Sequence, residues 1–113
     1  MEPLMAKMRE YLQMDTEIPF QEFRDYYEQL LGYLKTNYEG MNSDELIQTR
    51  YILDIVSNNS QTRGARKDAD SKKYKKISEK CSFWSDAVNF RLQNNGMTQQ
   101  EIDDRVGQLT EEN

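Results

Sequence analysis

Residues 20–38 read FQEFRDYYEQLLGYLKTNY. Within them Phe20, Phe23, Tyr27, Leu30 and Leu34 step by 3, 4, 3 and 4, and Tyr38 extends the row. Apolar residues at that spacing share one face of an α-helix. Gln21, Glu22, Arg24, Asp25, Glu28 and Gln29 fall off the row. The stretch therefore predicts a long amphipathic helix, which Gly40 stops.

The same stepping returns downstream. Tyr74, Ile77, Cys81, Trp84 and Val88 repeat it, and Leu92 continues the row. A second long amphipathic helix is expected to begin between 62 and 71 and to end at Asn94-Asn95-Gly96. Between the two, Asn42-Ser43-Asp44-Glu45 has the form of a capping box. Leu46, Ile47, Tyr51, Ile52, Leu53, Ile55 and Val56 follow it. They are apolar on most sides, so this helix should be the most buried. Its β-branched residues would also suit a short strand, but the cap and the length favour helix. Residues 57–64 are polar and read as a loop.

Two short helices flank this set. Pro3 suits a first turn, and Leu4, Met8, Tyr11 and Leu12 follow at helical spacing until Asp15, Thr16 and Pro19 break it. Thr98-Gln99-Gln100-Glu101 is a second capping box, ahead of a thin stripe of Ile102, Val106 and Leu109. Residues 110–113 read as a frayed tail. The expected fold is all-α. It is a small antiparallel helical bundle of four to five helices over residues 1–113, with two long amphipathic helices, one buried helix and two short flanking ones.

Composition narrows the setting. The chain of 113 residues is 36% hydrophobic and 31% charged, with mean hydropathy −0.98. That predicts a thin core, one that a partner or a second copy could complete. Cys81 stands alone, so no internal disulfide forms, and a cytoplasmic location is expected. No apolar run is long enough to span a membrane. The net charge of −5 hides an asymmetry. Residues 1–62 carry net −6, residues 63–80 net +5 and residues 81–113 net −4.

The residue inventory argues against catalysis. There is no histidine, so Ser–His and Cys–His nucleophile pairs are excluded. Cys81 lies on the apolar row, where a thiol behaves as a small hydrophobe. One cysteine cannot build a structural zinc site. The glycines stand singly, so no phosphate-binding loop is present. Glu22-x-x-Asp25 and Glu101-x-x-Asp104 each put two carboxylates on one helix face. They resemble, in general kind, the paired magnesium motifs of all-α nucleotide pyrophosphatases. The simpler reading is two solvated helix faces. No cofactor, metal or small-molecule substrate is expected.

Residues 96–107 resemble the first half of a helix-turn-helix, through Thr98, Glu101, Ile102, Val106 and Gly107. The likeness covers about a dozen residues and would imply DNA reading by a following helix. Asp103 stands where that family has a small apolar residue. Only Gln108 to Asn113 follow, with Glu111 and Glu112 among them.

The candidate binding residues fall in two groups. Arg63, Arg66, Lys67, Lys72, Lys73, Lys76 and Lys80 form the basic segment, which could meet phosphates or an acidic protein surface. Its counter-reading is a solvated helix start that balances acidic neighbours. Tyr26 and Tyr33 form a second row on the 20–38 helix beside Gly32, which would let another backbone approach. They read equally as an interface or as a wider apolar face under a short helix. Small acidic helical chains of this make-up resemble phage- or mobile-element-encoded regulators and inhibitors as a type. That type includes proteins that block host nucleases or CRISPR effectors. The expected function is thus a non-enzymatic protein-interaction module with a protein partner, or as a homodimer. The alternative is a nucleic-acid-binding accessory protein using residues 63–80.

Overall fold

Asn42 opens the helix around which the others pack. In the computed structural model, which describes residues 1–112, its side chain accepts from the Glu45 N–H at 2.9 Å. The Glu45 carboxylate accepts from the Asn42 N–H in return. Helix α3 follows, Ser43–Gly64. Leu46, Ile47, Tyr51, Ile52, Leu53 and Val56 are all buried in it, so it is enclosed on most sides and is helical, not a strand. Four helices surround it: α1 (Glu2–Leu12), α2 (Phe20–Asn37) with a 3-10 turn at Tyr38–Gly40, α4 (Ser71–Asn94) and α5 (Gln99–Glu112). The fold is all-α, and all five helices feed one core.

Residues 57–64, expected as a loop, are instead the last two turns of α3. Polar residues there bond to the helix itself. Ser60 Oγ donates to the Val56 carbonyl at 2.7 Å, Asn59 to Ile55, and Thr62 to Asn58. Small size explains the rest. Ser60 and Gly64 are buried, and a Cβ at Gly64 would stand 2.9 Å from Lys75 Cγ and 3.4 Å from the Lys75 backbone nitrogen. The polar stretch is a close-packing surface for α4, and packing overrides weak propensity. Across that contact Arg50 pairs with Asn89, Asp54 with Ser85, and Ser57 with Ser82. Each step up α3 is matched by a step down α4, so the two are antiparallel in a single register.

Helix α2 stands off from α4 on large side chains. Phe20 and Phe23 meet Tyr74 edge-on at 5.0 and 5.2 Å, and Tyr38 meets Trp84 at 5.6 Å. The Tyr38 hydroxyl donates to the Ala87 carbonyl at 3.0 Å. The starts of α2 and α4 therefore lie together, and so do their ends. The short α1 is tied to α2 by Tyr26, whose hydroxyl donates to the Leu4 carbonyl at 2.8 Å.

Helix α4 stops in a Schellman motif. Gly96 takes φ +97°, its N–H bonds to Gln93 O, and the Met97 N–H bonds to Leu92 O. The Thr98–Glu101 box then starts α5. Residues 110–112, expected as a tail, continue α5. The Thr110 hydroxyl bonds the Val106 carbonyl there. Asn113 lies outside the described residues. The body measures 43 × 25 × 25 Å and has two poles. One holds the α3–α4 turn and the basic segment. The other holds the 3-10 turn, the α3 start and the α4–α5 corner.

Candidate functional site

The basic segment divides into two sets. Arg66 lies 2.6 Å from Glu17 Oε1 and Arg63 3.5 Å from the same oxygen. The Arg63 guanidinium also covers Phe23 at 4.7 Å and Tyr74 at 5.6 Å. The hydrogen bond from Arg66 holds the Glu17 carboxyl below its ordinary range, with the Arg63 and Arg66 charges adding to it, against a smaller desolvation effect. These two arginines brace the α1–α2 connection: the Arg63 side chain is largely enclosed at 11% exposure, while that of Arg66 stays 45% exposed beside Glu17.

The lysines differ. Lys73 pairs with Asp70 at 3.6 Å and lies over the Phe20 ring. Lys67, in a left-handed turn at φ 59°, is exposed. Lys72, Lys76 and Lys80 are exposed on α4 and form no ion pair among the described residues. Lys72, in the first turn of α4, opposes the helix dipole.

Those lysines lead into a feature that sequence reasoning missed. Phe83 is 63% exposed and Phe90 64%. Cys81 and Val88, in the same helix, are fully buried. At about 100° per residue, positions 83 and 90 come out opposite position 81. The phenyls thus stand on the outer face of α4, with half-buried Ala87 between them. Phe83 meets Trp84 edge-on at 6.0 Å, and the buried Trp84 indole N–H has no acceptor among the described residues. Glu79 and Asp86, both exposed, share this face. The outer face therefore runs from lysines at its start to a phenyl pair at its end. The signal was present in the sequence: a helix with a complete apolar row has no packing use for two large apolar residues opposite it.

Tyr26 and Tyr33 are placed inward. Tyr26 is 5% exposed and sits under α1, with Tyr11 edge-on at 5.6 Å. Its reading as a contact surface is corrected, because the wider apolar face of α2 packs α1. Tyr33 is half-buried and donates to Glu45 Oε2 at 3.3 Å. A Cβ at Gly32 would meet nothing within 4 Å, so no backbone of this chain approaches there.

The chemistry of the other candidates is limited. Burial pushes the Cys81 thiol up to about 12, which leaves it neutral and unreactive near pH 7. Glu22 and Asp25 lie at the start of α2, and Glu101 and Asp104 lie beside the end of α4. The two carboxylate pairs occupy opposite poles. Among the described residues no three metal-ligating side chains converge. Helix α5 passes straight through Gly107 to Glu112, so the helix-turn-helix likeness has no turn at that glycine. A cavity of about 200 Å³ lies beneath the α1–α2 connection. Met8, Ile18, Phe23 and Val56 form its apolar wall, and its charged lining groups, Glu17 and Arg63, are paired with each other. No helix of the described residues is long and apolar enough to cross a membrane.

No family model, curated protein or solved structure matches the chain.

Proposed function

We propose that this chain is a non-enzymatic protein-interaction module that docks through the outer face of α4. The observation that carries the reading is the pair Phe83 and Phe90, one heptad apart and about two-thirds exposed. Two phenyls left in water cost free energy that docking recovers, at roughly 25 cal/mol per Å² of apolar surface covered. Exposed aromatic side chains of this kind are among the residue types that interfaces favour. A regulator or inhibitor that acts by occlusion is the narrower form of the same reading. The exposed acids Glu22, Asp25 and Glu28 along α2 would suit a basic partner surface in that case.

The test uses paired baits. Wild type and a Phe83→Ser/Phe90→Ser variant of equal thermal stability are carried through the same binding experiment. A partner retained by the wild type and lost by the variant supports the reading. Partners retained equally by both overturn it.

Lys72, Lys76 and Lys80 favour a second reading, contact with nucleic-acid phosphates. Glu79 and Asp86 on the same face count against it, since they would stand beside the phosphates. Single-stranded and duplex DNA or RNA titrated at low salt decides the matter. Affinity that falls steeply with salt and vanishes on charge reversal of the three lysines supports nucleic acid. No binding at low salt removes it.

A further inference from the structure

We infer that the occupant of the α4 face is a second copy of this chain, packed antiparallel about a two-fold axis that passes between Asp86 and Ala87. This rests on the reading of that face as a protein-docking surface.

Two features of the face point to a copy of itself. The first is spacing. Phe83 and Phe90 are separated by seven residues, about 10.5 Å along the helix. A two-fold axis midway between them lays each phenyl against the other phenyl of the partner copy, Phe83 on Phe90 and Phe90 on Phe83. A patch that satisfies itself in this way needs no second surface. Ala87 stands next to the axis, where a small side chain lets two helices approach to about 8–10 Å.

The second feature is charge. The axis is displaced toward the end of α4, so the lysine-bearing start of the helix overhangs the partner's far pole. Lys80 falls level with position 93 of the other copy, and Lys76 lies one turn further on, past the end of that copy's α4. That pole carries Glu39 and Glu101, both exposed and without a cationic partner among the described residues. Glu39 is fixed there, because Arg91 donates to its backbone carbonyl. The unpaired lysines of one copy thus lie toward the unpaired carboxylates of the other, twice over. A nucleic acid would answer the lysines but meet Glu79 and Asp86.

The face also carries its own limit. Asp86 lies next to the axis and so faces the Asp86 of the other copy. Two exposed phenyls per copy fall short of the roughly 800 Å² per partner of a standard interface. The dimer is therefore at the weak, transient end of interface sizes.

Sedimentation velocity on the full chain, across two decades of concentration around ~50 µM, tests this. The expected result is a reversible monomer–dimer equilibrium. Phe83→Ser/Phe90→Ser should weaken it by at least about tenfold with an unchanged thermal midpoint. Asp86→Asn should strengthen it. Lys80→Glu and Glu39→Lys should each lose association alone, and an equimolar mixture of the two should regain it. A monomer at every concentration overturns the inference. So does a dimer indifferent to these variants, because it then uses another face. If the monomer nevertheless loses a different protein partner on Phe83→Ser/Phe90→Ser, the docking surface stands and the second copy is the wrong occupant.

Discussion

Cys81 and Phe83 are two residues apart in α4 and face opposite ways: the thiol is fully buried and the phenyl is 63% exposed. One side of the helix is spent on the core and the other is left unused by the fold. Stability and docking should therefore separate cleanly along it. Phe83→Ser and Phe90→Ser are expected to change unfolding free energy by about 0.5 kcal/mol or less. Leu92→Ala, which empties a fully buried site, should cost about 2–5 kcal/mol. Urea denaturation of the three variants checks this. A large loss at either phenylalanine would mean that the outer face is part of the core.

Alkaline pH should destabilise the fold. Burial raises the Cys81 thiol from 9.0 to about 12 and the Tyr27 phenol from 10.0 to about 12, and it raises Tyr26 as well. A group whose folded pKa lies above its unfolded value stabilises fully below the unfolded value. That contribution is lost as pH rises through the window. Thermal midpoints should be flat up to about pH 9 and then fall toward pH 12. A thiol reagent at pH 8 should modify Cys81 only at the rate of unfolding. Rapid modification of the native protein would contradict the burial.

The glycines should respond in opposite directions. Gly32 sits in the interior of α2 with open space around it, so Gly32→Ala should stabilise by about 0.5–1 kcal/mol through helix propensity. Gly64 lies against Lys75, and Gly64→Val should cost about 1–3 kcal/mol by forcing α3 and α4 apart. Thermal melts of both variants give the answer. Destabilisation by Gly32→Ala would show that something does approach that backbone.

Acid should loosen the α1–α2 connection. The Glu17 carboxyl, hydrogen-bonded by Arg66, sits below its ordinary value of 4.5. A depressed carboxyl stabilises above its unfolded pKa, and that contribution is lost as pH falls through the folded one. The stability gap between wild type and Glu17→Gln should hold at neutral pH and close progressively below pH 4.5. It will be small, because solvent screens a half-exposed pair. A gap that persists at low pH would show that charge is not its source.

The sequence made some of this legible and hid the rest for physical reasons. The rows from Phe20 to Leu34 and from Tyr74 to Leu92 gave α2 and α4, because a 3-4 repeat has one structural outcome. Both capping boxes form as their letters suggest. Residues 57–64 misled because Ser, Asn and Thr favour turns locally, while the small Ser57, Ser60 and Gly64 let the helix continue packed on α4. That contact is not visible from one chain segment. Arg63 and Arg66 looked available because Glu17 is remote in sequence, 49 residues from Arg66. Tyr26 looked like surface because its cover, α1, arrives from elsewhere. Phe83 and Phe90 were readable in principle, since they lie opposite a complete apolar row.

Site-specific photo-crosslinking addresses the docking face most directly. A benzophenone side chain at position 90, in the native expression host, is compared with the same group at the exposed Gln29 of α2. Docking through the α4 face predicts a discrete adduct from position 90, with a second copy or with another protein, and none from position 29. Equal adducts from both positions, or none from position 90, would contradict it.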